Sequence, residues 1–195
     1  MENLMFAVDD YMILGLNAII ASLAIIEIKK DGKLKGFSIR MLFMVAVQIF
    51  QYALAKLSVN NIFIFHFCIP IDFALLAMVF HEWEQEYKEL YKYSSIILWL
   101  VIVLDCGMSS FRAIPINSLV LSSLTFTVFS TRALYVSETK RIGTIAFGLV
   151  IYYSHSSAIF YLYKLTDLMM PMVYHDFVIM ASLGIFIYGY MNGRE

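Results

Sequence analysis

Long apolar runs separated by short polar connections dominate the chain. Each run is long enough to form a helix that crosses most or all of the roughly 30 Å hydrocarbon core of a bilayer, at about 1.5 Å of rise per residue. Seven runs can be marked, at about 5–28, 38–58, 62–80, 94–111, 115–136, 142–164 and 170–191. The pattern predicts an all-α polytopic membrane protein, a seven-transmembrane-helix bundle that forms a single domain over residues 1–195.

The composition favours the same class of protein. Of the 195 residues, 61% are hydrophobic and 15% are charged, against about 45–50% and 25% in soluble domains. The sequence has no basic stripe, so we expect no direct binding of nucleic acid. The first residues lack a basic segment and a small-residue cleavage site, so we expect no removable signal peptide. Cys68 and Cys106 lie inside predicted helices, where packing is favoured over a disulfide or a cysteine zinc site.

The distribution of Lys and Arg predicts the orientation in the membrane. Seven crossings place the two termini on opposite sides, and positively charged connections favour the cytoplasm. With the N-terminus outside, three of these residues lie in outer connections, namely Lys56, Arg112 and Lys164. The inner connections then hold Lys29, Lys30, Lys33, Lys35, Arg40, Lys88, Lys92, Arg132, Lys140, Arg141 and Arg194. We therefore predict an outside N-terminus and a cytoplasmic C-terminus.

The third run carries ionisable residues at membrane depth. His66 and Asp72 lie within it, and ionisable residues inside a membrane are functional-site hypotheses by default. A separation of six residues places them about 120° apart around the helix and about 9 Å apart along it, so their partners must come from other helices. Pro70 should kink this helix and free the carbonyl of His66.

Polar residues of other helices fall at a similar depth. Placing each residue by its rise from the predicted membrane edge brings several of them into the outer half of the bundle. The predicted ligand or proton pocket consists of His66, Asp72, Tyr152, His155, His175 and Asp176, with Asp9 and Asp10 at similar depth. For Gln48 and Asp105, hydrogen bonds that set the helix register are favoured. Gly148 and Ser156 should allow a neighbouring backbone to approach the sixth helix.

The connection between the third and fourth helices is the candidate partner face. Residues 82–94 can continue the third helix out of the membrane, with Trp83, Tyr87 and Tyr91 recurring every four residues. An aromatic anchor at the lipid interface is the favoured interpretation, and docking of a cytoplasmic partner is the alternative. The basic first inner connection should contact anionic lipid headgroups. Apolar faces suit lipid and protein alike, so a homo-oligomer stays open.

A zinc hydrolase is one alternative function. The residues that could ligate zinc are His66, His155, His175 and Asp72. The predicted architecture resembles the alkaline ceramidases, which implies an intramembrane zinc-dependent lipid amide or ester hydrolase. The match is incomplete, because Ile179 stands where that class has the second histidine of its last helix, and no serine stands four residues before His66. Retinal is not expected as a cofactor, since residues 171–192 contain no lysine for a Schiff base.

Short motifs suggest a second resemblance. Asn60-Asn61, His66, Asp72-Phe73, Gly148 with Tyr152-Tyr153, and His175 resemble the pattern of small uncharacterised seven-helix proteins of Bacteroidota-type bacteria, over about residues 48–190. The resemblance implies a bacterial inner-membrane protein without an established activity, and Asp72 replaces the family's Glu. We expect a non-enzymatic membrane module, a sensor or membrane effector that acts with a partner protein and needs no cofactor. A small-solute or proton-coupled carrier is the other alternative, although the inner half supplies few polar residues for a path.

Overall fold

The computed structural model describes residues 2–30, 32–57, 61–84, 86–111, 113–166 and 172–192. Within these ranges, side chains are described for residues 12–159 and 175–192. The side chains of Asp9 and Asp10, and the whole of Asn60, lie outside the described part of the chain.

The described residues form seven helices and no strand, which confirms the all-α prediction. The helices are α1 (Glu2–Ile28), α2 (Lys35–Lys56), α3 (Phe63–Trp83), α4 (Lys88–Met108), α5 (Ile116–Val136), α6 (Lys140–Thr166) and α7 (Met172–Met191). Most of their bounds agree with the apolar runs within a few residues. The largest difference is at the start of α4, which begins six residues before the predicted run because its polar first turns are helical as well.

Five helices, α2 to α6, contain segments long and apolar enough to cross a membrane. The described apolar parts of α1 and α7 are shorter, at Met12–Ile28 and His175–Met191. These lengths and compositions indicate a membrane protein. The seven-span topology and the sides on which the termini lie stay predictions.

The predicted helical continuation through residues 82–94 is wrong. α3 ends at Trp83, and Glu84 adopts an extended conformation with φ −88° and ψ 121°. The Glu84 carboxylate accepts hydrogen bonds from the backbone N–H groups of Glu86, at 3.0 Å, and Tyr87, at 3.4 Å. These bonds stabilise a turn in place of another helical turn, because the side chain satisfies donors that a continuing helix would have paired itself.

The chain divides into two compact units, residues 24–122 (unit A) and residues 1–23 with 123–195 (unit B). In unit A, α3 packs against α2 and α4. Phe37, Leu76, Val79 and Ile102 are fully buried there. At the end of α3, the indole N–H of Trp83 donates to the Lys33 carbonyl at 2.9 Å, which connects α3 to the segment before α2.

Asp105 joins α4 to the start of α5 in unit A. Its carboxylate accepts from the hydroxyl of Ser118 at 2.5 Å, the backbone N–H of Ser118 at 3.1 Å and the side-chain amide of Asn117 at 3.3 Å. The first N–H groups of a helix have no partner within the helix, and an acidic group beside them is favourable. Asp105 therefore makes interhelical hydrogen bonds of the kind that the sequence favoured for it.

We expect Asp105→Ala to lower the free energy of unfolding by about 1–3 kcal/mol, because Ser118 is buried. Its backbone N–H would lose the Asp105 acceptor, and its hydroxyl would keep only the longer contact to the Ile102 carbonyl, at 3.4 Å. Denaturation of the purified chain in detergent micelles measures the change. Ser109→Ala is the matched control, since the Ser109 hydroxyl bonds only the carbonyl of its own helical turn among the described contacts. Equal stability of the two variants would contradict the role given to Asp105.

In unit B, α6 and α7 pack closely around small residues. A Cβ atom at Gly148 of α6 would lie 2.7 Å from Cε1 of Phe186, and one at Gly189 of α7 would lie 2.8 Å from Cγ1 of Ile145. The predicted close approach at Gly148 is present, but the approaching group is an aromatic ring and not a backbone. The guanidinium of Arg141 donates to the carbonyl of Tyr190 at 3.2 Å, which satisfies an orphan carbonyl at the end of α7.

Candidate functional site

The six residues of the predicted pocket are distributed over the two units. His66 and Asp72 belong to unit A, whereas Tyr152, His155, His175 and Asp176 belong to unit B. Their local surroundings differ from one residue to the next.

Asp72 of α3 forms a buried ion pair with Arg40 of α2. The Nε and Nη2 atoms of Arg40 donate to the two carboxylate oxygens of Asp72, at 2.7 and 3.2 Å. The side chains are only 4% and 17% exposed, respectively. Two parallel hydrogen bonds fix the relative orientation of the two groups as well as attracting the charges. The prediction that the partner of Asp72 comes from another helix is confirmed.

The placement of Arg40 in an inner connection is wrong. Arg40 lies five residues inside α2, on the helix face that also buries Phe37 and Met41. A long side chain can extend along the helix and carry its charge to a partner further into the membrane. Arg40 lies inside the apolar run at 38–58, and a charge in such a run indicates a partner on another helix. The count of charged connections treated Arg40 as a surface residue instead.

The ring of His66 in α3 faces two backbone carbonyls. Nδ1 lies 2.8 Å from the oxygen of Cys106, and Nε2 lies 3.0 Å from the oxygen of Ala113. A carbonyl can only accept, so both contacts are hydrogen bonds at once only when both ring nitrogens carry a hydrogen. The ring of Phe111 packs beside it, with centroids 4.9 Å apart. His66 thus joins α3 to the end of α4 and the connection that follows.

His155 of α6 and His175 of α7 lie together in unit B. Their rings are nearly parallel, with an interplanar angle of 17° and centroids 6.0 Å apart. The Nε2 atom of His155 is buried and has no hydrogen-bond partner among the described residues. The two residues from different predicted helices are therefore neighbours, which the sequence placed only at a similar depth.

Tyr152 and Asp176 complete the unit B part of the predicted set. Tyr152 is half-buried and lies edge-on to the ring of Tyr153, with centroids 4.9 Å apart. Asp176 is also half-buried and follows His175 directly on α7. Tyr152 precedes His155 by three residues, so the two share one side of α6.

No group of three or more His, Cys, Asp or Glu residues in the described parts of the chain is arranged to hold a metal ion. To ligate a metal through either ring nitrogen, His66 would have to give up a carbonyl contact. The set proposed for zinc is thus not assembled as such within either unit.

The three aromatic residues of the predicted partner face do not form one exposed surface. Trp83 is 6% exposed, and its ring packs against Phe37 and Phe80 with centroid distances of 6.0 and 5.7 Å. Tyr87 is 46% exposed, and Tyr91 is half-buried on α4. The four-residue spacing did not predict that Trp83 is buried, because it assumes one continuous helix, whereas α3 ends at Trp83 and the chain turns.

Among the described residues, the local geometry gives no catalytic arrangement that identifies a family. Comparison with protein-family models, curated proteins and solved structures finds no match to this chain.

Proposed function

We propose that the chain is a non-enzymatic integral membrane module, a sensor or membrane effector that acts through a partner protein. The observation that carries the proposal is the buried Arg40–Asp72 ion pair. It joins α2 to α3, the same two helices whose ends meet where Trp83 bonds Lys33. Charges inside a membrane are costly, and they are typical of sites where a ligand, a proton or a conformational change acts.

The two helices offer a direct mechanical route out of the membrane. From Asp72 to Trp83, α3 runs for about 17 Å as a continuous helix. Gly36 of α2 packs against α3 near Val79, so the helices are in close contact along this route. A change in the ion pair that shifts α2 against α3 would therefore reach the connections at residues 29–34 and 84–87. Helix pairs of this kind transmit changes as rigid elements with discrete arrangements.

In this proposal both connections lie on the cytoplasmic side of a bacterial inner membrane. The predicted outside N-terminus and cytoplasmic C-terminus place them there, and the basic residues of the first connection support that side. Tyr87, exposed beside the buried Trp83, is the residue through which we expect a partner to be contacted. Trp83 holds the connection in place from inside.

Photo-crosslinking from position 87 tests the proposal. A photoreactive phenylalanine analogue at Tyr87, in the full chain in its native membrane, should give one discrete heavier adduct. The same analogue at Ile97, which is exposed in the middle of α4, is the control and should give no protein adduct. Replacing the ion pair by Arg40→Met with Asp72→Leu should reduce the adduct severalfold while the chain still folds. An adduct that is insensitive to this double replacement would contradict the coupling, and no adduct at all would contradict the partner.

The carrier alternative draws on the same ion pair, since intramembrane charges also line solute and proton paths. Proton or solute flux in proteoliposomes that stops in the Arg40→Met, Asp72→Leu variant would favour it. The zinc-dependent hydrolase alternative gains no support from the described histidine contacts, and the sensor or effector proposal is preferred.

A further inference from the structure

A groove between α3 and α4 has the size of a ligand site. It has a volume of about 340 Å³ and is open along one side, and ligand pockets range from roughly 300 to 1,000 Å³. It lies in unit A, away from the contacts of the Arg40–Asp72 ion pair. Neither the ion pair nor the proposed partner contact requires it.

The walls of the groove are apolar along most of its length. Ala74 and Ala77 of α3 leave the space that larger side chains would fill, and Trp99 of α4 forms the facing wall. The indole N–H of Trp99 donates to the carbonyl of Pro70 at 3.0 Å, which fixes the position of that wall. From Phe73 to Glu82 the groove follows α3 for about 14 Å, about half of the roughly 30 Å hydrocarbon core. This length suits one acyl chain in one leaflet.

Polar groups gather where the groove reaches the end of α3. His81 and Glu82 of α3 and Lys92 of α4 line it there. One carboxylate oxygen of Glu82 lies on the α2 side, 3.0 Å from the position that a Cβ atom at Gly36 would occupy. The Nε2 atom of His81 is buried and has no hydrogen-bond partner within the described part of the chain. The ammonium of Lys92, half exposed, lies 3.7 Å from Glu89. Exposed pairs of this kind are weak, so Lys92 keeps donors for a further acceptor.

We propose that this groove binds a phospholipid with a zwitterionic, primary-ammonium headgroup, with one acyl chain between α3 and α4. The phosphate accepts hydrogen bonds from the ammonium of Lys92. The ammonium of the headgroup donates to the carboxylate of Glu82. A mouth that presents one acidic and one basic side chain complements a headgroup with both charges, whereas an anionic headgroup would place its net charge beside Glu82.

Tryptophan fluorescence provides the test, because the chain has two tryptophans and only Trp99 lines the groove. The Trp83→Phe variant is reconstituted in phosphatidylcholine vesicles that contain a small, equal fraction of either brominated phosphatidylethanolamine or brominated phosphatidylglycerol. We expect the ethanolamine lipid to quench Trp99 severalfold more strongly. Lipids that merely surround the protein would quench it without this headgroup preference.

Matched charge variants test which side chains at the mouth of the groove contact the lipid headgroup. Glu82→Gln should lower the preference about fivefold, as expected for the loss of about one favourable charge contact with the ammonium. Lys92→Gln should weaken the quenching by both lipids, because both carry the phosphate that Lys92 binds. Lys88→Gln, which removes an exposed charge of α4 that does not line the groove, should leave the preference unchanged. Ala77→Phe should fill the groove and reduce quenching to the level of the surrounding lipid.

Three results would overturn the proposal: equal quenching by both lipids, a preference for the glycerol lipid, or a preference that survives Glu82→Gln. If Trp83→Phe fails to fold, the wild-type chain and Trp99→Phe are compared, and the difference in quenching reports Trp99. The remaining Trp83 is buried against Phe37 and should show no headgroup preference.

Discussion

Asp72→Leu should lower the free energy of unfolding by about 3–5 kcal/mol, the largest loss expected for a single replacement in unit A. The variant removes the Asp72 carboxylate from the Arg40 guanidinium, which is 4% exposed. Arginine cannot give up its charge in a protein, so the cost cannot be avoided by deprotonation. Unfolding in mixed micelles by titration with sodium dodecyl sulfate measures the loss.

Replacing Arg40 instead of Asp72 distinguishes the contributions of the two charges to stability. Arg40→Met removes the guanidinium from Asp72, but a carboxylate can become neutral by taking up a proton, so we expect a smaller loss than for Asp72→Leu. The double variant Arg40→Met, Asp72→Leu removes both charges of the pair and should return close to wild-type stability, because apolar replacements of buried ion pairs are often neutral or stabilising. The exposed pair of Glu89 and Lys92 is the control, and Glu89→Gln should cost less than about 1 kcal/mol. A double variant as unstable as the sum of the singles would contradict this account.

Gly148→Ala should destabilise unit B by about 1–3 kcal/mol, although alanine is the better helix former. The new Cβ atom would lie 2.7 Å from the ring of Phe186, and that ring is only 3% exposed and has little room to move. The melting temperature in detergent reports the change. Shortening the opposing side chain in Gly148→Ala, Phe186→Leu should recover part of the loss.

Gly184→Ala is the matched control for Gly148→Ala. It lies on α7, and no described atom beyond its chain neighbours and the nearby helix backbone lies within 4 Å of the position that its Cβ would occupy. Its melting temperature should stay unchanged or rise slightly, since alanine is up to about 1 kcal/mol more favourable than glycine in a helix. Equal destabilisation by the two replacements would show that the close contact with Phe186 is not what constrains Gly148.

Helix geometry explains which parts of the site could be predicted from the sequence. The spacing of His66 and Asp72 shows that they cannot pair, because the angle between them depends only on the local helix. The partners of these residues could not be predicted in the same way. Arg40 lies 32 residues from Asp72, and the carbonyls near His66 lie 40 and 47 residues away. Contacts over such separations depend on how helices pack, and an apolar run has no clear polar face to indicate this.

The end of α3 could not be predicted from the sequence for a different reason. The four-residue spacing of Trp83, Tyr87 and Tyr91 is typical of one helix face, and the helix bounds follow the apolar runs closely elsewhere. At the turn that follows, the Glu84 carboxylate accepts hydrogen bonds from two backbone N–H groups. A glutamate in a charged segment could accept hydrogen bonds from many different donors or from water, so its backbone partners cannot be predicted from the sequence. Once the chain turns, Trp83 packs inward and only Tyr87 stays well exposed.

The ion pair also bears on how the chain enters the membrane during synthesis. α2 emerges from the ribosome before α3 and has the lower mean hydropathy, 1.5 against 2.2. Arg40 adds up to about 2.5–3.5 kcal/mol to the cost of moving α2 from the translocon into lipid alone. That cost falls once Asp72, made 32 residues later, is present. We therefore expect α2 to remain beside the translocon until α3 has been synthesised. The two helices then enter the bilayer together as a helical hairpin.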